Sequence, residues 1–297
     1  MPAHHAYSTD LFTPLAFVGR LALVVVVYLG GMGTLLASAV RSLVRPPRDS
    51  APIGPAIAHQ LAWLLGAGLP MVTLSHIGLG SFLAMQSYYG ATFAEGTGAV
   101  VGVGLIRNIT ALMTGLTMAG LLAALATPEL RAGGGWHREL EDASRAFDLD
   151  GSATEPESRP DPGRSTAIRI GAGLAAGPIL SLWGVIVGTV VGWRVAAKLV
   201  GVTSDVFFSM FLEMIWVRDL WSLVLKGMIF GMLAALFACH EGLRPSQGRG
   251  PSATSLAACR AACLAGVAIL TVNSSWFLLF YHAGPAFGPT LLAPPGR

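Results

Sequence analysis

The chain has 297 residues, of which 53% are hydrophobic and only 12% are charged. Its mean hydropathy is +0.63, whereas soluble globular proteins carry about 25% charged residues, so much of the surface is expected to face lipid. The formal net charge of +3 is spread along the chain rather than concentrated in one tract. This distribution argues against a nucleic-acid partner, and three cysteines cannot form an even disulfide framework.

Six apolar segments follow one another along the chain, at residues 21–40, 61–94, 109–128, 170–193, 220–239 and 261–281. A helix needs about 20 apolar residues to cross a bilayer. Lipid cannot satisfy exposed backbone polar groups, and the segments are too long and too continuously apolar for barrel strands. The sequence therefore predicts an all-α integral membrane protein, a polytopic helical bundle.

The first apolar segment allows two placements. Residues 21–40 carry no charge and are long enough to span a bilayer. Arg20 near its start and Arg41, Arg45 and Arg48 at its end also allow a helix lying at the cytoplasmic interface. Residues 1–54 are therefore predicted to form an N-terminal tail and an interfacial or spanning helix, and residues 55–297 the transmembrane domain.

Lysine and arginine residues in the flanks of the segments predict the orientation of the chain. The flanks after the first, third and fifth segments are assigned to the cytoplasm because they carry Arg41, Arg45, Arg48, Arg131, Arg138, Arg145, Arg159, Arg164, Arg244, Arg249 and Arg260. Arg194, Lys198 and Arg218 argue against this orientation, because they would lie outside. The larger group decides the assignment, which places the C-terminus outside the cytoplasm.

One polar stretch, residues 131–169, separates the third and fourth segments. Residues 136–149 combine charged and apolar residues at helical spacing, which predicts a short amphipathic helix. Such a helix would either contact a partner protein or be a solvated part of the loop. Residues 151–165 are rich in proline, glycine and charge, and predict a flexible insertion.

Polar residues within or beside the apolar segments are the candidates for a functional site. Arg107 and Asn108 accompany the third segment, Lys226 lies in the fifth, and Gln86 and Tyr89 lie toward the end of the second. Intramembrane charge normally faces a bundle interior or a wet cavity. These residues therefore line a pathway for a lipid head group, or they pair helices and reach toward the membrane surface.

No motif for bond chemistry accompanies these residues. The sequence has no Walker A motif, no G-x-S-x-G, no HExxH and no CxxC. Glycines recur at four-residue spacing at positions 184, 188 and 192 and at 227 and 231, which predicts close helix packing and no chemistry. The chain is therefore predicted to be neither an enzyme nor a metal or cofactor protein.

Short motifs in a shared order resemble the MlaE/YrbE permease family, the membrane subunits of MCE-associated ABC lipid transporters. In the second segment the run LPMV at 69–72 and Gln86 resemble the family signature, and residues 105–108 occupy the place of its LLREL motif. The run ELEDA at 139–143 resembles the family's coupling helix. Further matches follow at Asp219-Leu220, Lys226, Phe230-Gly231, Ala238-Cys239, Gly242-Leu243 and Arg260, so that the resemblance covers about residues 55–280.

The resemblance implies a function, its partners and a location. The chain would be the permease subunit that moves phospholipid, fatty acid or sterol between the bacterial inner membrane and an assembly of MCE-domain proteins, with ATP bound and hydrolysed on a separate ABC ATPase subunit. A cytoplasmic coupling loop at 129–150 would contact that ATPase through Glu139, Glu141, Asp142 and Ala143. An N-terminal interfacial helix, five spanning helices and an extracytoplasmic C-terminus are also implied.

Two residues depart from the family pattern at positions where the family carries a charge. Asn108 stands where the family has glutamate, and Leu121 stands where it has arginine. Both departures remove charge from positions expected to line the lipid cavity at the interface of the permease dimer. These departures lead to the hypothesis that the chain is the diverged half of a heterodimer whose second permease subunit is a different chain. The alternative function is a structural half that anchors MCE proteins without lining the transport path, and an unrelated secondary transporter is disfavoured because the halves show no convincing repeat.

Overall fold

The computed structural model of the chain describes residues 12–45, 52–90, 96–132, 161–244 and 251–282. Its helices are α1 (Phe12–Val44), α2 (Ile53–Gly90), α3 (Thr97–Val103), a π-helical segment (Gly104–Ile109), α4 (Thr110–Arg131), α5 (Pro162–Leu199), α6 (Ser204–Met214), α7 (Val217–Leu243) and α8 (Pro251–Phe277), which continues into a π-helical turn (Leu278–His282). Six helical stretches are long and apolar enough to cross a membrane by length and composition. The predicted polytopic helical fold is confirmed.

Two helices begin earlier than the apolar pattern predicts. The third predicted segment starts at residue 109, whereas its helix runs without a break from Thr97 through the π-helical segment. The fourth starts at Pro162, so residues 162–165 of the predicted flexible insertion are helical. The physical reason is local, because the Asp161 carboxylate accepts a hydrogen bond from the Gly163 amide at 3.0 Å and a proline occupies the first turn.

Helix α5 lies at the centre of the bundle and runs antiparallel to α7. The two backbones touch at paired glycines, where Gly173 faces Gly231 and Gly177 faces Gly227. A Cβ atom on Gly177 would overlap the carbonyl oxygen of Gly227, so only glycine allows this approach. The predicted close packing at residues 227 and 231 is thus present, with α5 as the partner helix.

The apolar core has two parts. The larger part lies between α2, α4, α5, α7 and α8, around buried side chains such as Leu64, Met118, Leu180 and Phe230. The smaller part lies where the short helix α6 packs on α3, around Val101, Leu105, Phe207 and Phe211. Helix α6 turns back from α5 through Gly201, whose φ of 73° favours glycine.

Helix α1 lies across one end of the bundle. We call this the basic end; there α4 and α7 finish and α5 and α8 begin. Gly31 faces the His240 ring near the end of α7, and Ser42 lies 3.4 Å from the Asp161 carboxylate at the start of α5. Because α5 and α7 are antiparallel, the start of α5 and the end of α7 lie at the same height of the bundle. The two contacts therefore share this height, although Gly31 and Ser42 are 11 residues apart along α1. This geometry favours the interfacial placement of the first segment over the spanning one.

Candidate functional site

The π-helical segment at residues 104–109 carries two of the predicted pathway residues, Arg107 and Asn108. Single π-helical turns inside α-helices often occur at functional sites, because they change the direction in which side chains point. The Arg107 Nε atom lies 3.0 Å from an Asp219 carboxylate oxygen, and its Nη2 atom donates to the Met214 carbonyl oxygen at 2.8 Å. The π-helical segment thus joins the start of α7 through a charge-assisted pair.

Asp219 is the fully buried member of this pair. The same carboxylate oxygen that faces Arg107 also accepts a hydrogen bond from the Trp216 amide at 3.0 Å, which closes the first turn of α7. Lys226, two turns deeper on α7, is fully buried as well, and its ammonium group donates to the Arg107 carbonyl oxygen. A π-helical segment shifts the backbone hydrogen-bond register, and Lys226 supplies a side-chain donor to one carbonyl oxygen of this segment.

Asn108 connects the same segment to the last helix. The Asn273 amide nitrogen donates to the Asn108 side-chain oxygen at 2.6 Å, and Asn273 is buried. One turn later on α8, the Trp276 indole nitrogen donates to the Ser222 hydroxyl of α7 at 2.8 Å. Arg107, Asn108, Asp219, Lys226 and Asn273 therefore form one polar network, which we call the inter-helix network.

The other two predicted pathway residues do not join this network in the described structure. Gln86 and Tyr89 lie exposed near the end of α2. The Tyr89 side chain is 78% exposed and makes an edge-to-face ring contact with Tyr88. The structure brings together Arg107, Asn108 and Lys226, and leaves Gln86 and Tyr89 on the outer face of the bundle.

An apolar groove of about 260 Å³ opens at the side of the bundle between α7 and α8. We call it the lateral groove; its walls include Trp221, Leu225, Met228, Trp276 and Phe280, and Arg218 also lines it. The Trp276 and Phe280 rings stack with their centroids 4.3 Å apart. The lateral groove and the inter-helix network share the first two turns of α7, so a polar group and an apolar channel lie side by side there.

A second charged group lies at the basic end. The Arg169 guanidinium is fully buried in α5 and lies 2.7 Å from the Glu129 carboxylate of α4. Glu241, also fully buried, lies 3.3 Å from Arg260 and 3.7 Å from Arg244. These pairs tie α4 to α5 and α7 to α8, close to the ends from which the 133–160 and 245–250 connections leave.

The predicted coupling residues Glu139, Glu141, Asp142 and Ala143 lie outside the described residues. Their assignment to the ATPase contact stays a prediction. The described part of the predicted coupling loop, 129–132, comprises the end of α4 and one residue beyond it. Arg131 donates there to the Ala253 carbonyl oxygen at 3.1 Å, so the start of α8 is bonded to the first residues of the predicted coupling loop, which we call the root of the loop.

Sequence reasoning missed four members of these two polar groups. Asp219 entered only as part of a motif match, and Arg169, Asn273 and Glu241 were not singled out, although all four are polar residues in or beside apolar segments. The same signal that selected Lys226 was therefore available for Asn273. Within the described ranges no group of three or more His, Cys, Asp or Glu side chains could hold a metal ion.

Comparison with known proteins finds one matching family model. The model of the family described as Permease MlaE matches residues 164–278, which include α6, α7, α8 and most of α5. Over these residues the chain is similar to MlaE-family permeases. The matched range contains Asp219, Lys226 and Asn273 of the inter-helix network and every lining residue of the lateral groove except Phe280.

Relatives of this permease cover nearly the whole chain. It is 26% identical over 255 residues to a probable ABC transporter permease protein of Rickettsia felis, covering 85% of this chain and 92% of the relative. A protein of the same description from Rickettsia conorii is 25% identical over 274 residues, covering 91% of this chain and 99% of the relative. One from Rickettsia bellii is 24% identical over 256 residues, with 85% and 92% covered.

Proposed function

We propose that this permease is the membrane subunit of an ATP-driven transporter that moves phospholipid, fatty acid or sterol between the inner membrane and an assembly of MCE-domain proteins. ATP is bound and hydrolysed on a separate ABC ATPase subunit, because this sequence has no Walker A motif. A second permease subunit, either a copy or a different chain, completes the dimer. The relatives described as probable ABC transporter permeases support the transporter class.

One observation carries the lipid assignment. Arg107 is paired with Asp219 in the first turn of α7, and the same part of α7 carries Arg218 and Trp221, which line an apolar groove at the side of the bundle. The Arg107 side chain is 24% exposed, while its partner Asp219 is fully buried. A phosphate or carboxylate head group suits the guanidinium, and an acyl or sterol body suits Trp221, Leu225 and Phe280.

The proposed mechanism is conformational. ATP binding closes the ATPase dimer, and the coupling loop with Glu139, Glu141, Asp142 and Ala143 carries that movement to the basic end. The Glu129–Arg169 and Glu241–Arg260 pairs link the root of this loop to α5 and α8. Two packed arrangements of the helices then differ in their affinity for lipid, which is what a transport cycle requires. The basic end faces the cytoplasm and the C-terminus lies outside, by the charge bias of the flanks.

A second candidate function is a structural subunit that anchors MCE proteins without lining the path. The observation that favours it is the burial of Lys226, whose ammonium group is already bonded to the Arg107 carbonyl oxygen. Asn108 is likewise bonded to Asn273 within the bundle. In this alternative the whole inter-helix network holds helices together and touches no lipid.

Substitution of Arg107 in the assembled complex separates the two functions. The complex of permease, ATPase and MCE protein is reconstituted in vesicles, and ATP-dependent transfer of a fluorescent phospholipid is measured. We expect Arg107→Gln to lower transfer by about tenfold, because one charge-assisted hydrogen bond to a head group contributes about 1.5–3 kcal/mol. Arg107→Lys, which keeps the charge, should retain part of the rate.

Lys198→Gln is the matched control, because Lys198 is an exposed cation near the end of α5. Its transfer rate should equal that of the wild type. Normal transfer by an assembled Arg107→Gln complex would favour the structural subunit. Loss of assembly in Arg107→Gln together with normal transfer in Arg107→Lys would assign Arg107 to the fold.

A further inference from the structure

A second groove, of about 610 Å³, lies at the basic end between α1 and the ends of α5 and α7. We call it the α1 groove; its lining includes Leu23, Val24, Tyr28, Thr34, His240 and Arg244. It is more than twice as large as the lateral groove. Asp219 and Glu241 mark the two ends of α7 and are 22 residues apart, or about 33 Å at 1.5 Å per residue. The α1 groove is therefore distinct from the proposed transport pathway and does not depend on it.

A half-exposed cation lines the α1 groove. Arg244 lines the groove with a side chain that is 47% exposed, and Arg260 behind it is equally exposed. The one carboxylate between these two guanidinium groups is Glu241, which is fully buried. Asp161, the other nearby carboxylate, is engaged by the Gly163 amide and the Ser42 hydroxyl at the start of α5. The Arg244 guanidinium is therefore the half-exposed charged group that lines the groove, whereas the Glu241 carboxylate that faces it is buried.

The opposite wall of the α1 groove is apolar and continues beyond it. Leu23, Val24 and Val27 line the groove from α1. The neighbouring α1 residues Phe17, Val18, Leu21, Val25, Val26 and Leu29 are all large, apolar and exposed. A cationic rim next to a long apolar helix face matches an amphiphile with an anionic head and hydrocarbon chains.

We propose that the α1 groove binds one anionic phospholipid from the leaflet that surrounds the basic end. The Arg244 guanidinium contacts the phosphate, and Thr34 and His240 offer further polar atoms to the head group. The acyl chains lie against Leu23, Val24 and Val27 and continue along the exposed face of α1. The bound lipid joins α1 to the ends of α5 and α7, where Gly31 and Ser42 make their direct contacts.

Photo-crosslinking tests this site in the full-length permease complex. The complex is placed in nanodiscs with a small fraction of phosphatidylglycerol or phosphatidylcholine that carries a photoreactive group at the head, and labelled peptides are identified by mass spectrometry. We expect phosphatidylglycerol to label residues 23–38 and 240–244 more strongly than phosphatidylcholine. Arg244→Gln should reduce that label by about fivefold, the effect of one basic residue near an anionic lipid surface.

Two tryptophan variants of α1 provide the matched pair. Thr34 is exposed and lines the groove, so Thr34→Trp fills the groove without entering the core. Ala37 is also exposed on α1 but does not line the groove, so Ala37→Trp adds the same bulk elsewhere. Thr34→Trp should abolish the phosphatidylglycerol label and Ala37→Trp should leave it unchanged. Equal labelling by both lipids, or an unchanged label in Thr34→Trp, would overturn the proposal.

Discussion

At the scale of single residues, the inter-helix network depends on one buried carboxylate. Asp219 is fully buried near the start of α7, where an unpaired charge would be costly. Its partners are the Arg107 guanidinium and the Trp216 amide, both at 3.0 Å. Two charge-assisted contacts offset the loss of solvation, so Asp219 is the residue on which the geometry of Arg107 depends.

Removing the Asp219 charge should destabilise the fold more than removing both charges of the pair. Asp219→Asn leaves the Arg107 guanidinium without its carboxylate, and breaking one side of a buried pair costs about 3–5 kcal/mol. The measurement is the midpoint of thermal unfolding of the detergent-solubilised complex, which should fall for Asp219→Asn. The double variant Asp219→Asn/Arg107→Gln should recover part of the loss, because the Arg107 guanidinium is then no longer left without its carboxylate.

Asp205→Asn supplies the control for this experiment, because Asp205 is an exposed carboxylate in the first turn of α6. It should leave the midpoint almost unchanged. An Asp219→Asn midpoint equal to that of Asp205→Asn would show that the pair does not hold the π-helical segment to α7.

The sequence identified three members of the network but not their partners. Arg107, Asn108 and Lys226 stand out because polar residues are costly in apolar segments. Which groups they meet depends on how α4, α7 and α8 pack, and no local pattern contains that information. Lys226 illustrates the limit, since its partner is a backbone carbonyl within a π-helical segment that the sequence did not predict.

At the scale of helices, the lengths of the apolar segments predicted the membrane-spanning helices. The residues at which these helices begin are instead determined by local capping and by tertiary packing. Helix α5 begins at Pro162 through the Asp161 cap, a signal that was readable but was outweighed by the proline and glycine content of the insertion. Helix α3 is a short, glycine-rich element with weak intrinsic helix propensity. It is stabilised by packing of Gly98 and Gly102 against α6, a contact between elements about 100 residues apart in sequence that only the fold reveals.

Because the backbones of α5 and α7 touch, adding a single methyl group at their contact is expected to lower the stability of the protein. Gly177→Ala would place a Cβ atom against the Gly227 carbonyl oxygen, so the two helices must separate. Overpacking of this kind costs about 1–3 kcal/mol. We expect a lower midpoint of thermal unfolding, measured by the loss of the size-exclusion peak after heating.

Gly120→Ala is the comparison for this substitution, because Gly120 is an exposed position in α4 with open space around its Cβ site. It should keep or raise the midpoint, since alanine favours a helix over glycine by up to about 1 kcal/mol. The contact assignment fails if Gly177→Ala is as stable as Gly120→Ala.

At the scale of the whole molecule, charged residues concentrate at two heights of an otherwise apolar bundle. The Asp219 and Glu241 groups lie at opposite ends of α7, which is about 40 Å long at 1.5 Å per residue. This length exceeds the hydrocarbon core of a bilayer, which is about 30 Å thick. The permease therefore places one charged group near each membrane surface, the first beside the proposed lipid path and the second beside the root of the proposed coupling loop.

Helices α5 and α7 connect these two groups as continuous elements. Arg169 of α5 is paired with Glu129, and Glu241 of α7 lies beside Arg260 of α8, all at the basic end. Helix α7 then runs without a break to Asp219 and the lateral groove. A movement at the basic end can thus reach the proposed lipid path through rigid helices, without a flexible joint in the described part of α7.

In the proposed mechanism, a separate ATPase drives lipid movement through this permease by acting on its coupling loop. The decisive measurement is ATP-dependent transfer of fluorescent phospholipid by the reconstituted complex, with ATP hydrolysis followed in the same sample. We predict that the wild type couples the two activities. Asp142→Arg, which reverses a charge in the predicted coupling sequence, should lower lipid-stimulated hydrolysis and transfer together. Unchanged hydrolysis and unchanged co-purification of the ATPase with Asp142→Arg, or transfer without ATP, would contradict the account.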